Sequence, residues 1–103
     1  MIIGIIGGGA SGMAAALAAA ENPNAQVILL ERQARLGRKL LATGNGRCNL
    51  TNLHAGNAGY HGDAPEFAKN ALSRFDVRDT LRWFEDMGLY TVKEISDDTT
   101  FIG

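Results

Sequence analysis

The stretch Ile2-Ile3-Gly4-Ile5-Ile6-Gly7-Gly8-Gly9-Ala10-Ser11-Gly12 opens the chain and decides how the rest is read. Its isoleucines are β-branched and favour a strand. The glycines then force a turn, and an alanine-rich run through Ala20 favours a helix. A second apolar run, Val27-Ile28-Leu29-Leu30-Glu31, reads as another strand that ends in an acid. A lone G-x-G-x-x-G says little. Here a strand precedes it, a helix follows it, and Glu31 lies 19 residues beyond Gly12. Together these make the signature of a dinucleotide-binding βαβ unit.

Each position has a physical reason. Gly7 permits the tight turn out of the first strand, and Gly9 lets a pyrophosphate approach the backbone. Gly12 lets the helix pack closely on the sheet, and Ala16 continues that small face. Ala10 and Ser11 belong to the first helical turn, whose N–H groups and positive dipole end suit phosphate. A carboxylate at Glu31 accepts hydrogen bonds from a ribose diol and repels a 2′-phosphate. The expected cofactor is therefore FAD or NAD rather than NADP.

Competing readings of this stretch fit less well. The first twenty residues are uncharged, but nothing basic occurs before Arg32, as a signal peptide requires. Glycine and alanine make the stretch too weakly apolar for a membrane span. Methyltransferase-type nucleoside folds keep fewer of the three glycines.

The 103 residues lie at the low edge of one domain, and a doubly wound sheet needs more than the two parallel strands visible here. With 46% hydrophobic and 20% charged residues, the composition is that of a soluble globular protein. One cysteine, Cys48, excludes an internal disulfide framework and fits a reducing, cytoplasmic setting. Asn49-Leu50-Thr51 matches a glycosylation pattern without a secretion signal. His54 and His61 lack the companions of a metal site, so no metal is expected.

The net charge of −1 conceals a division along the chain. Residues 32–62 hold Arg32, Arg35, Arg38, Lys39 and Arg47 with no acid. A positive loop directly after the ribose acid suits a polyanionic ligand. No aromatics interleave with these bases, so nucleic acid is not the expected partner. Gly37, Gly44 and Gly46 give the loop tight turns, and Asn45, Asn49 and Asn52 can bond their own backbone. Thr43-Gly44-Asn45-Gly46 supplies small residues and consecutive N–H groups for an anion.

Leu36-Gly37-Arg38-Lys39, then Thr43-Gly44-Asn45-Gly46-Arg47-Cys48-Asn49 and Thr51-Asn52, resembles the hallmark of the BaiN-like flavoproteins. These are also labelled aminoacetone-oxidase-family or NAD(P)/FAD-dependent oxidoreductases. The resemblance covers roughly residues 1–92. It implies FAD, with the glycine turn on its pyrophosphate and Glu31 on its adenosine ribose. It also brings Arg32, Arg38, Lys39 and Thr43, Gly44 and Asn45 towards the cofactor, with NAD(P)H as candidate electron donor to the intact parent. Members of this family are several times longer, with a large domain inserted into the cofactor domain.

Downstream, Asp63-Ala64-Pro65-Glu66 reads as a capping box opening a helix with Phe67, Ala71 and Phe75 on one stripe. Asp76 can cap a second helix carrying Val77, Leu81 and Phe84 and stopped by Gly88. Trp83 and the phenylalanines read as core, and Leu89 to Ile95 as a strand. Ser96 to Gly103 departs from the Gly-Arg-Val-Phe-Pro-like string of the family.

The expected architecture is α/β: a truncated Rossmann-like FAD/NAD(P)-binding βαβ unit with parallel strands, then two helices and a strand. Residues 1–103 are expected to form the incomplete N-terminal part of such a domain, its last eight or so residues foreign to the family. Such a piece is expected to hold FAD weakly or not at all and to turn nothing over, with an unknown small molecule as the parent's substrate. No catalytic base is assigned, and no second cysteine is present to pair with Cys48 in a redox relay. An NAD-binding dehydrogenase segment and a non-catalytic nucleotide-binding module are the alternatives.

Overall fold

A computed structural model describes residues 1–42, 48–55, 60–96 and 99–102. They fall into two units, residues 1–48 and 49–103. In the first, strand β1 (Ile2–Ile6) pairs in parallel with β2 (Gln26–Leu30), Ile2 opposite Gln26 and Ile6 opposite Leu30. Helix α1 (Ala10–Ala20) makes the crossover, and a four-residue helix, α2 (Arg38–Leu41), follows β2. The βαβ unit read from the glycine pattern is therefore present. The second strand sits one residue earlier than expected. Glu31 leaves the ladder, and its side chain turns back towards Gly8.

Period-two alternation gives the sheet two unlike faces. Ile3, Ile5, Val27 and Leu29 are half-buried, whereas Ile2, Ile6, Ile28 and Leu30 are 69%, 89%, 41% and 56% exposed. Helix α1 packs on both strands, its Gly12 near Ile5. Parallel sheets are normally covered on both sides. Among the described residues of this unit, only one side is.

The second unit holds a short strand β3 (Thr51–Asn52), a 3₁₀ turn (Pro65–Ala68), helices α3 (Lys69–Arg74) and α4 (Val77–Asp86), and strands β4 (Lys93–Ser96) and β5 (Thr99–Ile102). The strands form an antiparallel sheet in the order β3-β5-β4. Asn52 Oδ1 accepts from the His54 N–H at 2.8 Å, the asparagine-to-backbone bonding that its position suggested.

Helix α4 follows its sequence signals. The Asp76 carboxylate accepts from the Asp79 N–H at 2.9 Å, and the Asp76 N–H donates to Asp79 Oδ2 at 3.0 Å. That reciprocal pair is a capping box. At the other end Gly88 is left-handed (φ 87°). Its N–H donates to the Glu85 carbonyl at 2.8 Å, and the Leu89 N–H to the Phe84 carbonyl at 3.0 Å. These two bonds make a Schellman motif. Trp83 and Phe84 are half-buried, their rings 5.0 Å apart and near-perpendicular. Asp76→Ala is expected to lower the melting midpoint by several degrees and reduce helical circular dichroism, Asp76→Asn costing less because asparagine also caps. Equal melting of all three proteins is the contrary result.

Three expectations are corrected here. Asp63 caps nothing: Ala64 precedes the 3₁₀ turn, and no side chain bonds its open end. The tighter 3₁₀ period breaks the stripe, so Phe67 is 89% and Phe75 50% exposed rather than core. Leu89 to Val92 lie outside the ladder, because the Leu89 N–H is engaged in ending α4. Beyond them β5, which no local signal had marked, pairs with both β4 and β3.

Candidate functional site

The turn after β1 is built by glycines with separate tasks. Gly7 is left-handed (φ 102°), and its N–H donates to the Leu30 carbonyl at 2.7 Å, extending the parallel pairing. Gly9 is the N-cap of α1. That helix has no side-chain cap and no acid in its first turn, so its first N–H groups face the turn without an internal anion. A Cβ at Gly9 would meet nothing within 4 Å, whereas one at Gly12 would land on the Gly7 carbonyl oxygen. The turn is open to a ligand at Gly9 and closed at Gly12.

Across from it, Glu31 is held by two backbone donors. The Gly8 N–H reaches Oε2 at 2.6 Å, and the Gln33 N–H reaches Oε1 at 3.0 Å. The Gln33 N–H foremost, then that of Gly8, hold this carboxyl below its ordinary value of 4.5. Glu31 is thus an anion at neutral pH, with spare lone pairs on both oxygens.

These two edges border an open cleft of about 410 Å³, within the span of small-molecule sites. Gly8, Gly9 and Glu31 form one part of its wall, and Arg32, Arg35, Arg38 and Lys39 another. Arg38 Nη1 donates to the Gln33 side-chain oxygen at 3.2 Å. The cleft lies at the carboxyl ends of both strands, where open α/β sheets bind ligands. Its chemistry fits half of a dinucleotide: one fixed carboxylate for a diol, backbone N–H groups and cations for a diphosphate, and no Cβ at Gly9 to obstruct it.

Of the residues marked in the sequence, Gly9, Glu31, Arg32, Arg38 and Lys39 line this cleft. Gly7, Ala10, Ser11 and Gly12 shape the turn and the first turn of α1 without lining it. Thr43, Gly44 and Asn45 lie outside the described residues. Cys48 is an exposed free thiol. Gly8 and Gln33 were missed, and Arg35 was marked only as one charge of the positive loop. Gly8 had a signal, as the middle of three consecutive glycines; for Gln33 it is the backbone, not the side chain, that holds Glu31. Among the described residues no cluster of His, Cys, Asp and Glu could hold a metal ion. None of the described helices is long and apolar enough to cross a membrane.

The family model described as HI0933-like protein Rossmann domain matches residues 1–101. The chain belongs to that family. It is 56% identical to the 3-dehydro-bile acid delta(4,6)-reductase of Clostridium scindens over 86% of its own length. It is 44% identical to the ribosomal RNA dihydrouridine synthase of Escherichia coli over 75% of its length, and 36% identical to that of Haemophilus influenzae over 88%. The matched parts are 22%, 19% and 23% of those proteins, so the chain spans about a fifth of each. The resemblance read from the Thr43–Asn49 string holds at the level of the family. HI0933-like Rossmann domains are α/β units of the dinucleotide-binding class, as the β1-α1-β2 crossover is.

Proposed function

We propose that this HI0933-like unit holds the ADP half of FAD, as the cofactor-binding part of a flavin-dependent oxidoreductase. The observation that carries the reading is the Glu31 carboxylate, fixed by two backbone N–H groups on the rim of a cleft whose other charges are positive. Glu31 would take the 2′- and 3′-hydroxyls of the adenosine ribose. The turn at Gly7 and Gly9 and the first N–H groups of α1, with Ala10 and Ser11, would take the diphosphate, with Gly12 keeping the helix close. Arg32, Arg38 and Lys39 would neutralise it, and the Thr43, Gly44 and Asn45 segment would offer it further N–H groups. When bound, the flavin supplies hydride and electron transfer, which protein side chains cannot.

The names of the relatives describe one kind of chemistry. A delta(4,6)-reductase removes carbon–carbon unsaturation, and dihydrouridine is uridine with two hydrogens added across a ring double bond. Reduction of a conjugated carbon–carbon double bond, with NAD(P)H as reductant, is the reaction we propose for the whole protein, in the cytoplasm. A small enone is the first substrate reading, favoured by the 56% identity to the bile-acid reductase. Ribosomal RNA is the second, favoured by the two synthases.

Titration of the chain with FAD, ADP, NAD and NADP, followed through backbone amide signals, tests the cofactor. FAD and ADP are expected to shift Gly8, Gly9 and Gln33 at lower concentration than NADP does. NADP binding as tightly as FAD would overturn the reading.

A further inference from the structure

Among the residues whose burial is described, only Gly8 and Gly37 are buried, and they are bonded to each other. The Gly37 N–H donates to the Gly8 carbonyl at 2.8 Å, and the Gly8 N–H donates to Glu31 Oε2 at 2.6 Å. Both backbone groups of Gly8 are therefore committed to the segment that follows β2. The space left by its missing side chain is committed too. A Cβ there would collide with Leu36 Cδ2, and would lie 3.0 Å from Glu31 Oε2 and 3.2 Å from Glu31 Cβ.

The G-x-G-x-x-G fingerprint leaves this middle position open to any residue. Here Glu31 and Leu36 close it from the ribose side. Gly8 is not among the left-handed glycines, so alanine would add volume at this point without backbone strain.

We propose that Gly8 is a positioning residue for the adenosine ribose: by admitting Leu36 and bonding Glu31 and Gly37, it fixes the carboxylate and the basic loop against the phosphate turn. Each Glu31 oxygen already takes one backbone N–H, which leaves a lone pair on each for a vicinal diol. A carboxylate held this way loses little freedom when the sugar arrives. The inference rests on the ribose reading of Glu31 given above.

The test compares the 103-residue chain with its Gly8→Ala, Leu36→Ala and Gly8→Ala/Leu36→Ala variants. Dissociation constants for ADP, 2′-deoxy-ADP and inorganic pyrophosphate are measured by amide-signal titration. The unaltered chain is expected to prefer ADP over 2′-deoxy-ADP by roughly tenfold, the worth of one hydrogen bond to a charged acceptor. Gly8→Ala brings that ratio close to one, and any loss of pyrophosphate affinity, which reports how far the basic loop has moved, is smaller than the loss of ADP affinity, because the phosphate-facing glycines are intact. Removing the Leu36 side chain in the Gly8→Ala background restores part of the ratio, and Leu36→Ala alone keeps it. An unaltered chain without a preference overturns the ribose reading itself. A preference that survives Gly8→Ala overturns this inference and leaves the ribose reading standing. Should Gly8→Ala not fold, the double variant carries the same comparison, since its Leu36 collision is gone and its Glu31 contact remains. A double variant with the full preference of the unaltered chain then counts against the inference.

Discussion

Gly12→Ala is expected to abolish dinucleotide binding and to unfold the first unit. The added Cβ would fall on the Gly7 carbonyl oxygen and lie 2.9 Å from its carbonyl carbon. That obstacle is backbone, and it cannot swing aside. Gly7 is held at φ 102°, and its N–H is bonded to Leu30 at 2.7 Å. Relief must therefore come from moving α1 off the sheet, away from Ile3 and Ile5. Overpacking a well-fitted site costs about 1–3 kcal/mol even where side chains can adjust. A typical domain has only about 5–15 kcal/mol in total. The described residues include no fully buried large side chain, so this unit has little reserve. Circular dichroism and ADP titration check the result. A Gly12→Ala chain that melts like the unaltered one and still binds ADP would show that α1 is not seated this way.

Glu31→Gln carries the second large effect, on affinity and on acid stability together. The amide keeps the shape of the carboxylate but must present an NH₂ group to either Gly8 or Gln33, so a donor meets a donor. ADP affinity is expected to fall roughly ten- to a hundredfold, since the ribose bonds lose both charge and alignment. The pH dependence has a definite sign. The N–H groups of Gln33 and Gly8 place the folded-state carboxyl below its ordinary 4.5. A depressed acid contributes stability that is present above about 4.5 and is lost as pH falls through the folded value. The unaltered chain should therefore lose more of its melting midpoint between neutral pH and strong acid than Glu31→Gln does. Asp76, held below its ordinary 3.8 chiefly by the Asp79 N–H, acts in the same direction in both proteins and cancels in the comparison. Parallel pH profiles for the two would remove the structural role given to this carboxylate.

What could be read in advance divides by the range of the interactions involved. Gly7, Gly12 and Glu31 were legible because each is dictated by a local need: a left-handed turn, a close helix, an acid at the end of a strand. Asp76 and Gly88 were legible for the same reason, since caps act within a few residues. The 3₁₀ turn at Pro65 was not, because a proline one residue after Ala64 suits either helical period at its start. Strand β5 was hidden because its partners, β3 and β4, are set by pairing rather than by its own residue pattern. The basic loop was visible as charge. Its attachment to the turn was not, because that runs through the Gly37 N–H and the Gly8 carbonyl, which no side-chain pattern announces.

The bare side of the first sheet has a further consequence. Ile2, Ile6, Ile28 and Leu30 lie together there. Among the described residues, neither strand of this pair has a neighbour on its outer border. Greasy ground flanked by unmatched amide rows is where molecules of one kind accrete, strand upon strand. Crowding therefore governs how long this polypeptide stays dispersed, and dilution preserves it better than cooling, which weakens apolar attraction without closing those borders.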